Sequence, residues 1–517
     1  MIHKACLTMD TSLPKPPALP TANPIKRVCG VLNILAVNLL KEDRTMNYAN
    51  ATQCIDSLNK GEVSAKELVD FAIARIEALD EHINAVVTRD FDRARADAAT
   101  ADKERKAGSD KPLLGLPVTV KEGFDVEGLV TSWGLPGEHA PAGEDSVLVR
   151  RLRAAGAIIL GKSNIATMLA DWQCANPRFG RTNNPWNPDK TPGGSSGGGA
   201  AAVAADMVAL EFGSDLAGSL RIPAAFCGVF AHRPSQGVVP MRGFAPPMAP
   251  RLPIASDVDQ AAVGPIARSA LDLELALGLV AGPDGLEAEA YRLALPPAGQ
   301  KNLRDFRVLV LDKHPLCPTA SAVQSAIAEV AKHLEEAGCK VARKAETLPS
   351  LTDIARTFQA LLMSLMGVDT PRDDYDTAKD ADDFDSQAMT MSHRDWVELD
   401  RHRLGLQLGW KQLFSQFDVV VCPAAPVTAF SHDERPFGER RLTVDGSEAG
   451  YDILPLWSSL TNPTGLPSTT MPIGADAGGM PIGMQVVGKR YGDLTTLRFA
   501  ALVEAQFGGF RKPTSLV

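Results

Sequence analysis

The sequence lacks the features that mark several common classes of protein. It has 517 residues, a formal net charge of −9 and no run of lysine and arginine, which argues against nucleic acid or an anionic membrane as its main partner. Its eight cysteines are widely separated, and no Cys-x-x-Cys pair or Cys/His spacing suggests a metal site. The sequence therefore predicts reduced, mostly buried thiols in a cytoplasmic protein.

The N-terminal part has no apolar run long enough to cross a bilayer. The segment "VCGVLNILAVNLL" (Val28–Leu40) has 13 residues, whereas a spanning helix needs roughly 20. It lies in a proline-rich stretch, 1–45, which we predict to be a poorly ordered extension or to precede the true translation start. The flanking prolines and "KEDR" do not fit a signal peptide. A weak peripheral anchor remains the alternative, and no stable membrane insertion is expected.

From Met46 onward the pattern is that of an α/β protein. Hydrophobic residues make up 45% and charged residues 22%, as in an ordinary globular chain. Helical segments, such as "SAKELVDFAIARIEALD" with its Ser64/Glu67 capping box, alternate with short apolar strands such as "AIILGK" and "FDVVVCP". The pattern predicts one domain, 46–517, with a layered sheet covered by helices and surface insertions at about 283–300 and 368–390.

Two short motifs match familiar site patterns in the wrong context. "GAIILGKS" (156–163) satisfies G-x-x-x-x-G-K-[ST], but its middle residues predict a strand and not a phosphate-binding loop. "GGSSG" satisfies G-x-S-x-G, but a polar, proline-broken segment precedes Ser195 where a nucleophile elbow needs an apolar strand. His232 and His314 are expected to be surface or structural residues, so a Ser-His-Asp hydrolase is the weaker interpretation.

A serine and a lysine offer a different chemistry. "MVALEFGSD" predicts a strand that ends in a polar turn, and Ser219 follows at the start of "SLRIPAAFCG", where free backbone N–H groups can stabilise an oxyanion. Lys121 comes directly after the apolar "LPVTV", so burial should lower its pKa and let the neutral amine accept a proton. We do not expect Lys121 to reach Ser219 alone, and Ser195 is the candidate for a relaying hydroxyl.

The chain resembles the amidase signature family in several long motifs. "GGSSGGGAAAVAADMVALEFGSDLAGSLRIPAAFCGVFAHRPSQG" is similar to the family's Gly/Ser-rich signature, and "PVTVKEGFDVEG" is similar to its lysine segment. "GKSNIATM", "GRTNNPWNP", "FDVVVCPAAP" and "NPTGLPSTTMPIG" follow in the family's order. The resemblance extends over roughly 48–510 and implies one large mixed, twisted central β-sheet covered on both faces by α-helices.

The resemblance implies a Ser–cisSer–Lys triad. Lys121 would be the base, Ser195 the relaying serine after a cis peptide bond, and Ser219 the nucleophile. The implied oxyanion hole consists of four backbone N–H groups, those of Leu216, Ala217, Gly218 and Ser219. Three side chains would support the site: Ser196, Asp215 and Arg221. Alanine replaces the usual glycine at position 217, which should be tolerated unless that position needs a positive φ.

Several apolar and aromatic side chains occur in segments that could border the cleft. They are Trp133, Met168, Leu169, Trp172 and Phe179. They suggest an apolar or aryl substrate, with the alternative that they are simply core.

The expected function is hydrolysis of the C–N bond of carboxylic acid amides through a seryl acyl-enzyme, with no metal and no organic cofactor. Two alternatives stay open: the same chemistry on esters or carbamates, and an amidotransferase A-type subunit that works with partner chains. The expected partner is a small-molecule amide, and a homodimer is left open.

Overall fold

The computed structural model describes residues 50–249, 258–368 and 370–514. The predicted N-terminal extension, with its apolar segment Val28–Leu40, lies outside the described residues. Six cysteines are described, and all six are buried and unpaired, as predicted. None of the helices in the described ranges is long and apolar enough to cross a membrane.

Helices and short strands alternate along the described chain, in the order that the sequence pattern predicts. The helices are α1 Ala51–Lys60, α2 Ala65–Ile83, α3 Phe91–Lys106, α4 Val147–Ala154, α5 Gly197–Ala204, α6 Arg221–Cys227, α7 Ala270–Val280, α8 Glu287–Ala290, α9 Ser321–Glu336, α10 Leu351–Gly367, α11 Arg372–Lys379, α12 Phe384–Met389, α13 His393–Gln416 and α14 Asp493–Phe507. The strands are β1 Val86–Arg89, β2 Pro117–Lys121, β3 Ile158–Ser163, β4 Ala175–Asn176, β5 Gly180–Arg181, β6 Leu210–Asp215, β7 Phe230–Arg233, β8 Ala262–Ala267, β9 Arg307–Val310, β10 Lys340–Ala342, β11 Val419–Pro423, β12 Arg441–Val444, β13 Ser447–Gly450, β14 Ser468–Ala475 and β15 Pro481–Val487.

Local sequence signals explain where individual helices begin and end. α2 begins with the predicted capping box, because the Glu67 N–H donates to Ser64 Oγ (3.1 Å) and the Ser64 N–H donates to Glu67 Oε2 (2.9 Å). The motif "GAIILGKS" contains a buried strand, β3, as its middle residues predict. Gly156, which precedes that strand, has a φ of +91° and follows the end of α4.

Eleven strands form one mixed sheet flanked by helices, which confirms the predicted fold class. Their order is β1-β3-β2-β6-β8-β7-β14-β15-β11-β9-β10. β2 is parallel to both β3 and β6, whereas β6 is antiparallel to β8. Since β2 and β6 run side by side in the same direction, their carboxyl ends meet at one edge. Lys121 ends β2 there and Asp215 ends β6.

The two predicted insertions differ from each other. Every residue of 283–300 is at least partly exposed, and this stretch contains the short helix α8. The stretch 368–390 contains α11 and α12, and Ala378, Ala388 and Met389 are buried in a small cluster with residues of α10. The second stretch therefore contains two helices that pack against α10.

Both histidines expected to be surface or structural residues are buried. His232 on β7 has its ring nitrogens 2.9 Å from Thr469 Oγ1 and 3.2 Å from Asp493 Oδ1, which ties the sheet to the start of α14. The ring of His314 packs edge-on against Trp457, with 5.5 Å between centroids. Both have structural contacts.

The glycines at the start of α5 allow this helix to lie directly against the sheet. A Cβ on Gly197 would lie 2.6 Å from Cys174 Cβ, and one on Gly198 would lie 2.4 Å from the backbone nitrogen of Asn164. A Cβ on Gly199 would lie 2.5 Å from Glu211 Cγ. The close approach leaves no room for side chains, and it brings the serines just before α5 to the edge where β2 and β6 end.

We predict that Gly198→Ala lowers the free energy of unfolding by about 1–3 kcal/mol, because the added methyl group meets backbone atoms that cannot move aside. Gly405→Ala is the matched control, since no atom lies within 4 Å of a Cβ on this exposed helical glycine. We expect the control to gain about 0.5–1 kcal/mol from the better helix former. Urea unfolding measures both changes. A Gly198→Ala variant as stable as the parent would contradict the packing argument.

Candidate active site

One buried amine contacts three hydroxyl groups. The Lys121 side chain is fully buried at the end of β2. Its Nζ lies 2.7 Å from Ser195 Oγ, 2.9 Å from Ser196 Oγ and 3.0 Å from Ser214 Oγ. A hydroxyl can donate to a neutral amine or accept from an ammonium group, so this arrangement allows a proton to move in either direction.

Burial controls the charge of this lysine. Removal from water lowers the pKa of Lys121 from 10.5 to about 7, and the more weakly acting Cys174, Asp215 and Glu211 oppose that change. Near neutral pH a large fraction of the amine is therefore uncharged and able to accept a proton. The lowered pKa that the sequence predicts is confirmed in direction.

Ser195 and Ser196 contact Lys121 at the end of β2, and Ser196 also contacts β6 and the loop that carries Ser219. The peptide bond between Gly194 and Ser195 is cis. The Ser196 N–H donates to the Ser219 carbonyl over 3.2 Å, which joins the glycine-rich segment to that loop. A Cβ on Gly213 would lie 2.6 Å from Ser196 Oγ, so glycine at this position of β6 leaves space for the hydroxyl.

Ser219 lies two residues before α6, and its loop is stabilised by a buried ion pair. Asp215 Oδ2 accepts from Arg221 Nε at 2.9 Å, and Asp215 Oδ1 accepts from Arg221 Nη2 at 2.8 Å. The carboxylate also accepts from the backbone N–H groups of Gly218 (3.0 Å) and Leu220 (3.1 Å). Burial alone would raise the pKa of Asp215, but the charge and hydrogen bonds of Arg221 hold the pKa well below 3.8.

Arg221 also joins the loop to the C-terminal part of the chain. Its Nη1 donates to the Ser458 carbonyl (2.8 Å) and to Gln485 Oε1 (3.0 Å), and its Nη2 donates to Asn462 Oδ1 (2.8 Å). These contacts satisfy the guanidinium donors in a site from which water is excluded. Asp215 and Arg221 thus connect the loop that carries Ser219 to the C-terminal part of the chain.

The backbone around Ala217 differs in one respect from the expected oxyanion hole. The resemblance implied that the Gly218 N–H binds the developing oxyanion. In the structure this N–H donates to Asp215 Oδ1 and is therefore already occupied. Within the described residues, the N–H groups of Leu216, Ala217 and Ser219 have no protein acceptor. Gly218 has a φ of +90°, whereas Ala217 is not in the left-handed region, so alanine is tolerated at 217.

The five predicted pocket residues differ in their contacts. The Met168 N–H donates to the Trp133 carbonyl (2.9 Å), and Leu169 follows in the same short turn. Trp172 Nε1 donates to the Ala217 carbonyl over 2.9 Å, next to Ser219. Phe179 lies in the turn between β4 and β5, where its N–H donates to Asn176 Oδ1. Trp172 thus has a direct contact with the loop of Ser219, and no such contact is seen for Phe179 in the described part of the chain.

The sequence did not reveal Ser214 and Glu211 as members of the site. Ser214 contacts Lys121, but strand alternation alone does not show that its hydroxyl reaches the lysine. Glu211 lies inside β6, where its Oε1 accepts from Ser163 Oγ (2.7 Å) and burial raises its pKa from 4.5 to about 7. A glutamate between the apolar residues of "VALEFGSD" was the signal that could have identified it. No group of three or more histidine, cysteine, aspartate or glutamate side chains within 50–249, 258–368 and 370–514 is placed to hold a metal ion.

Comparisons with known proteins identify the family of this chain. Residues 67–497 match the family model described as Amidase. A relative named amidase AmiB2 in Mycobacterium tuberculosis is 31% identical over 472 residues, which cover 89% of this chain and 96% of that protein. The chain therefore belongs to the amidase signature family, and it is a hydrolase of the amide C–N bond.

Other similar proteins have different partners or substrates. The A subunit of the glutamyl-tRNA(Gln) amidotransferase of Thermosynechococcus vestitus is 31% identical over 482 residues, 86% of this chain and 95% of that protein. A solved structure described as a vestigial complex that reveals the evolutionary origins of an s-triazine catabolic enzyme aligns with a TM-score of 0.76 at 29% identity, over 90% of this chain and 99% of that one. A bacterial aryl acylamidase aligns with a TM-score of 0.74 at 24% identity, over 89% and 96% of the two chains, and shows a likeness of fold.

We predict that Asp215→Asn lowers the free energy of unfolding by about 3–5 kcal/mol, because it leaves the buried charge of Arg221 without a counter-ion. Asp376→Asn is the matched control, since its ion pair with Arg372 on α11 is exposed and should contribute below about 1 kcal/mol. Urea unfolding compares the two. Equal losses in the two variants would show that the buried pair has no special role in stability.

Proposed function

We propose that Lys121, Ser195 and Ser219 form a Ser–cisSer–Lys triad that hydrolyses amides, with Ser219 as the nucleophile. The observation that carries the proposal is the 2.7 Å contact between the buried Lys121 Nζ and Ser195 Oγ, combined with a pKa for Lys121 of about 7. A base with a pKa near the working pH transfers protons most effectively. The transfer of a proton from Ser219 Oγ to Ser195 Oγ is also part of the proposal.

In the proposed reaction, neutral Lys121 takes the proton of Ser195 Oγ, and Ser195 takes the proton of Ser219 Oγ. Ser219 Oγ then bonds to the amide carbon, and the carbonyl oxygen becomes an oxyanion that accepts from the free N–H groups of the 216–219 loop. The C–N bond breaks as the leaving nitrogen receives a proton back through the relay. A water molecule then attacks the acyl carbon, and the ester bond to Ser219 breaks to release the acid.

The role of Ser196 and Ser214 in this proposal is to orient the amine. Both hydroxyls lie within 3.0 Å of Lys121 Nζ, and Ser196 Oγ also donates to the Ser214 carbonyl over 3.3 Å. With the contacts to Ser196 and Ser214 in place, the remaining hydrogen-bonding position of the amine faces Ser195. The pair thereby limits the rotation that would otherwise weaken proton transfer.

The proposed substrate is an apolar or aryl amide in a cytoplasmic setting. The support is the apolar character of the segments around Trp133 and Met168. Esters and carbamates offer a carbonyl to the same attack and are the alternative within this chemistry. A second candidate is an amidotransferase A-type subunit, which the likeness to the glutamyl-tRNA(Gln) amidotransferase protein favours.

One assay separates these candidates. The purified chain alone is tested on aryl and alkyl amides, esters, carbamates and glutamine, and turnover of a simple amide is expected. Glutamine hydrolysis that appears only when partner subunits are added would favour the amidotransferase candidate. Turnover of esters or carbamates without amides would favour the alternative chemistry, and size-exclusion chromatography of the same sample tests whether the chain is a homodimer.

We predict that Ser219→Ala and Lys121→Met each lower kcat by more than about 10³-fold, because one removes the nucleophile and the other the base. Ser415→Ala, which changes an exposed serine on α13, is the control and should leave kcat unchanged. Steady-state kinetics and a melting curve are recorded for each variant. A folded Ser219→Ala enzyme with full turnover would exclude the proposed triad.

We also predict that kcat/KM rises with pH through about 7. Below this pH the Lys121 amine is protonated and cannot accept a proton, and above it the amine is neutral. The charge of Glu211 raises the pKa of Lys121, so Glu211→Gln should move the rise to lower pH. Glu398→Gln on the exposed face of α13 is the control. A profile without a rise near pH 7, or one that moves to higher pH in Glu211→Gln, would contradict the assignment of Lys121 as the base.

A further inference from the structure

The Ala217–Gly218 peptide next to Ser219 is fixed at both ends. Its carbonyl accepts from Trp172 Nε1 at 2.9 Å, and its N–H donates to Asp215 Oδ1 at 3.0 Å. The indole N–H is a donor only, so Trp172 has one polar contact to give, and it gives that contact to this carbonyl. A peptide unit is planar, so two hydrogen bonds on opposite edges set the orientation of the whole unit.

The preceding peptide is fixed on one edge only. The Leu216 carbonyl accepts from Asn462 Nδ2 at 2.5 Å, and the N–H of the same unit, which belongs to Ala217, has no protein acceptor in the described part of the chain. In a trans peptide the C=O and N–H point in opposite directions. The bonds from Asn462 and Trp172 therefore fix the planes on both sides of the Ala217 Cα and with them the direction of the free Ala217 N–H.

Trp172 itself is held by a segment distant in sequence, 437–451, which contains β12 and β13. Its ring lies 5.7 Å from the ring of Phe437 and 5.6 Å from that of Tyr451, centroid to centroid. The neighbouring Asp171 accepts from Tyr451 Oη (2.7 Å) and Arg440 Nη1 (2.5 Å). The side chains of both Asp171 and Trp172 are thus held by the same segment.

We propose that Trp172 is a positioning residue for amide hydrolysis: through the Ala217 carbonyl it directs the backbone N–H groups that stabilise the oxyanion, and segment 437–451 holds it in place. This inference rests on the proposed function, since it assumes attack by Ser219 in this loop. It gives Trp172 a role different from that of a pocket wall, because its polar contact is directed at the loop and not at a substrate.

The decisive variant is Trp172→Phe, which keeps an aromatic ring against Phe437 and Tyr451 but removes the indole N–H. We expect kcat to fall 10- to 100-fold with KM changed less than twofold, since the transition state and not the bound substrate needs the oriented N–H groups. That range lies at or below the ~10²–10³ loss known for direct removal of an oxyanion donor. A boronic acid, which mimics the tetrahedral state with Ser219, should lose affinity by the same factor.

Trp186→Phe is the matched control. Trp186 is also half-buried, and its Nε1 donates to a backbone carbonyl, that of Cys227, at 2.8 Å, but at the end of α6 away from Ser219. The Trp186→Phe variant loses an equivalent hydrogen bond, so both variants should show similar shifts in the urea midpoint. Only Trp172→Phe should lower kcat. If Trp172→Phe fails to fold, Tyr451→Phe replaces it, with a several-fold loss of kcat expected.

The inference would be overturned by an unchanged kcat in Trp172→Phe, or in Tyr451→Phe where that variant replaces it. Equal falls of kcat in Trp172→Phe and Trp186→Phe would also overturn it. So would a rise in KM with kcat unchanged, which would identify Trp172 as a pocket wall. Ser219→Ala is measured in the same series. If it stays active, the proposed function itself fails. If it is inactive while Trp172→Phe is fully active, only the role of Trp172 is excluded.

Discussion

The site depends on the burial of an amine that has no carboxylate among its hydrogen-bond partners. Lys121 and Lys162 are both fully buried on neighbouring strands. Lys162 Nζ contacts the Val130 carbonyl at 2.7 Å and has the Glu122 carboxylate at 3.9 Å. Lys121 contacts three hydroxyls, which carry no charge. A hydroxyl can bind either form of the amine but does not offset the cost of burying the charge, so the neutral form becomes accessible near pH 7.

The nearest strong anion is kept away from this lysine by a better partner. Asp215 ends the strand next to β2, and a free carboxylate there would stabilise the ammonium form and remove the base. Its oxygens are instead occupied by Arg221 and by the N–H groups of Gly218 and Leu220. The same ion pair therefore has two consequences. It shapes the loop before α6, and it leaves the amine of Lys121 with hydroxyl groups and no carboxylate as hydrogen-bond partners.

Sequence reasoning identified the residues whose chemistry is unusual for their surroundings. A lysine after an apolar strand and serines between glycines both stood out, whereas Arg221 was implied only by the family resemblance. The α/β alternation predicted the general pattern of helices and strands but not the two helices within 368–390. It could not predict the strand order, because β8 inserts between β6 and β7 and β14 follows β7. It also missed Ser214 and the occupied Gly218 N–H. These depend on which face a strand presents and on which acceptor a backbone group meets after folding.

The contiguous signature is insufficient to build the site. The segment 191–228 carries Ser195, Ser219 and the loop between them, but residues more than two hundred positions later fix its geometry. Asn462 holds the Leu216 carbonyl, Ser458 and Gln485 accept from Arg221, and a Cβ on Gly218 would lie 2.5 Å from Ser458 Oγ. A loop of glycine, serine and alanine has few side chains with which to fix itself. Part of the rigidity that oxyanion stabilisation requires therefore comes from the C-terminal half, which adds to the contacts of Trp172 and Asp215 with the same loop.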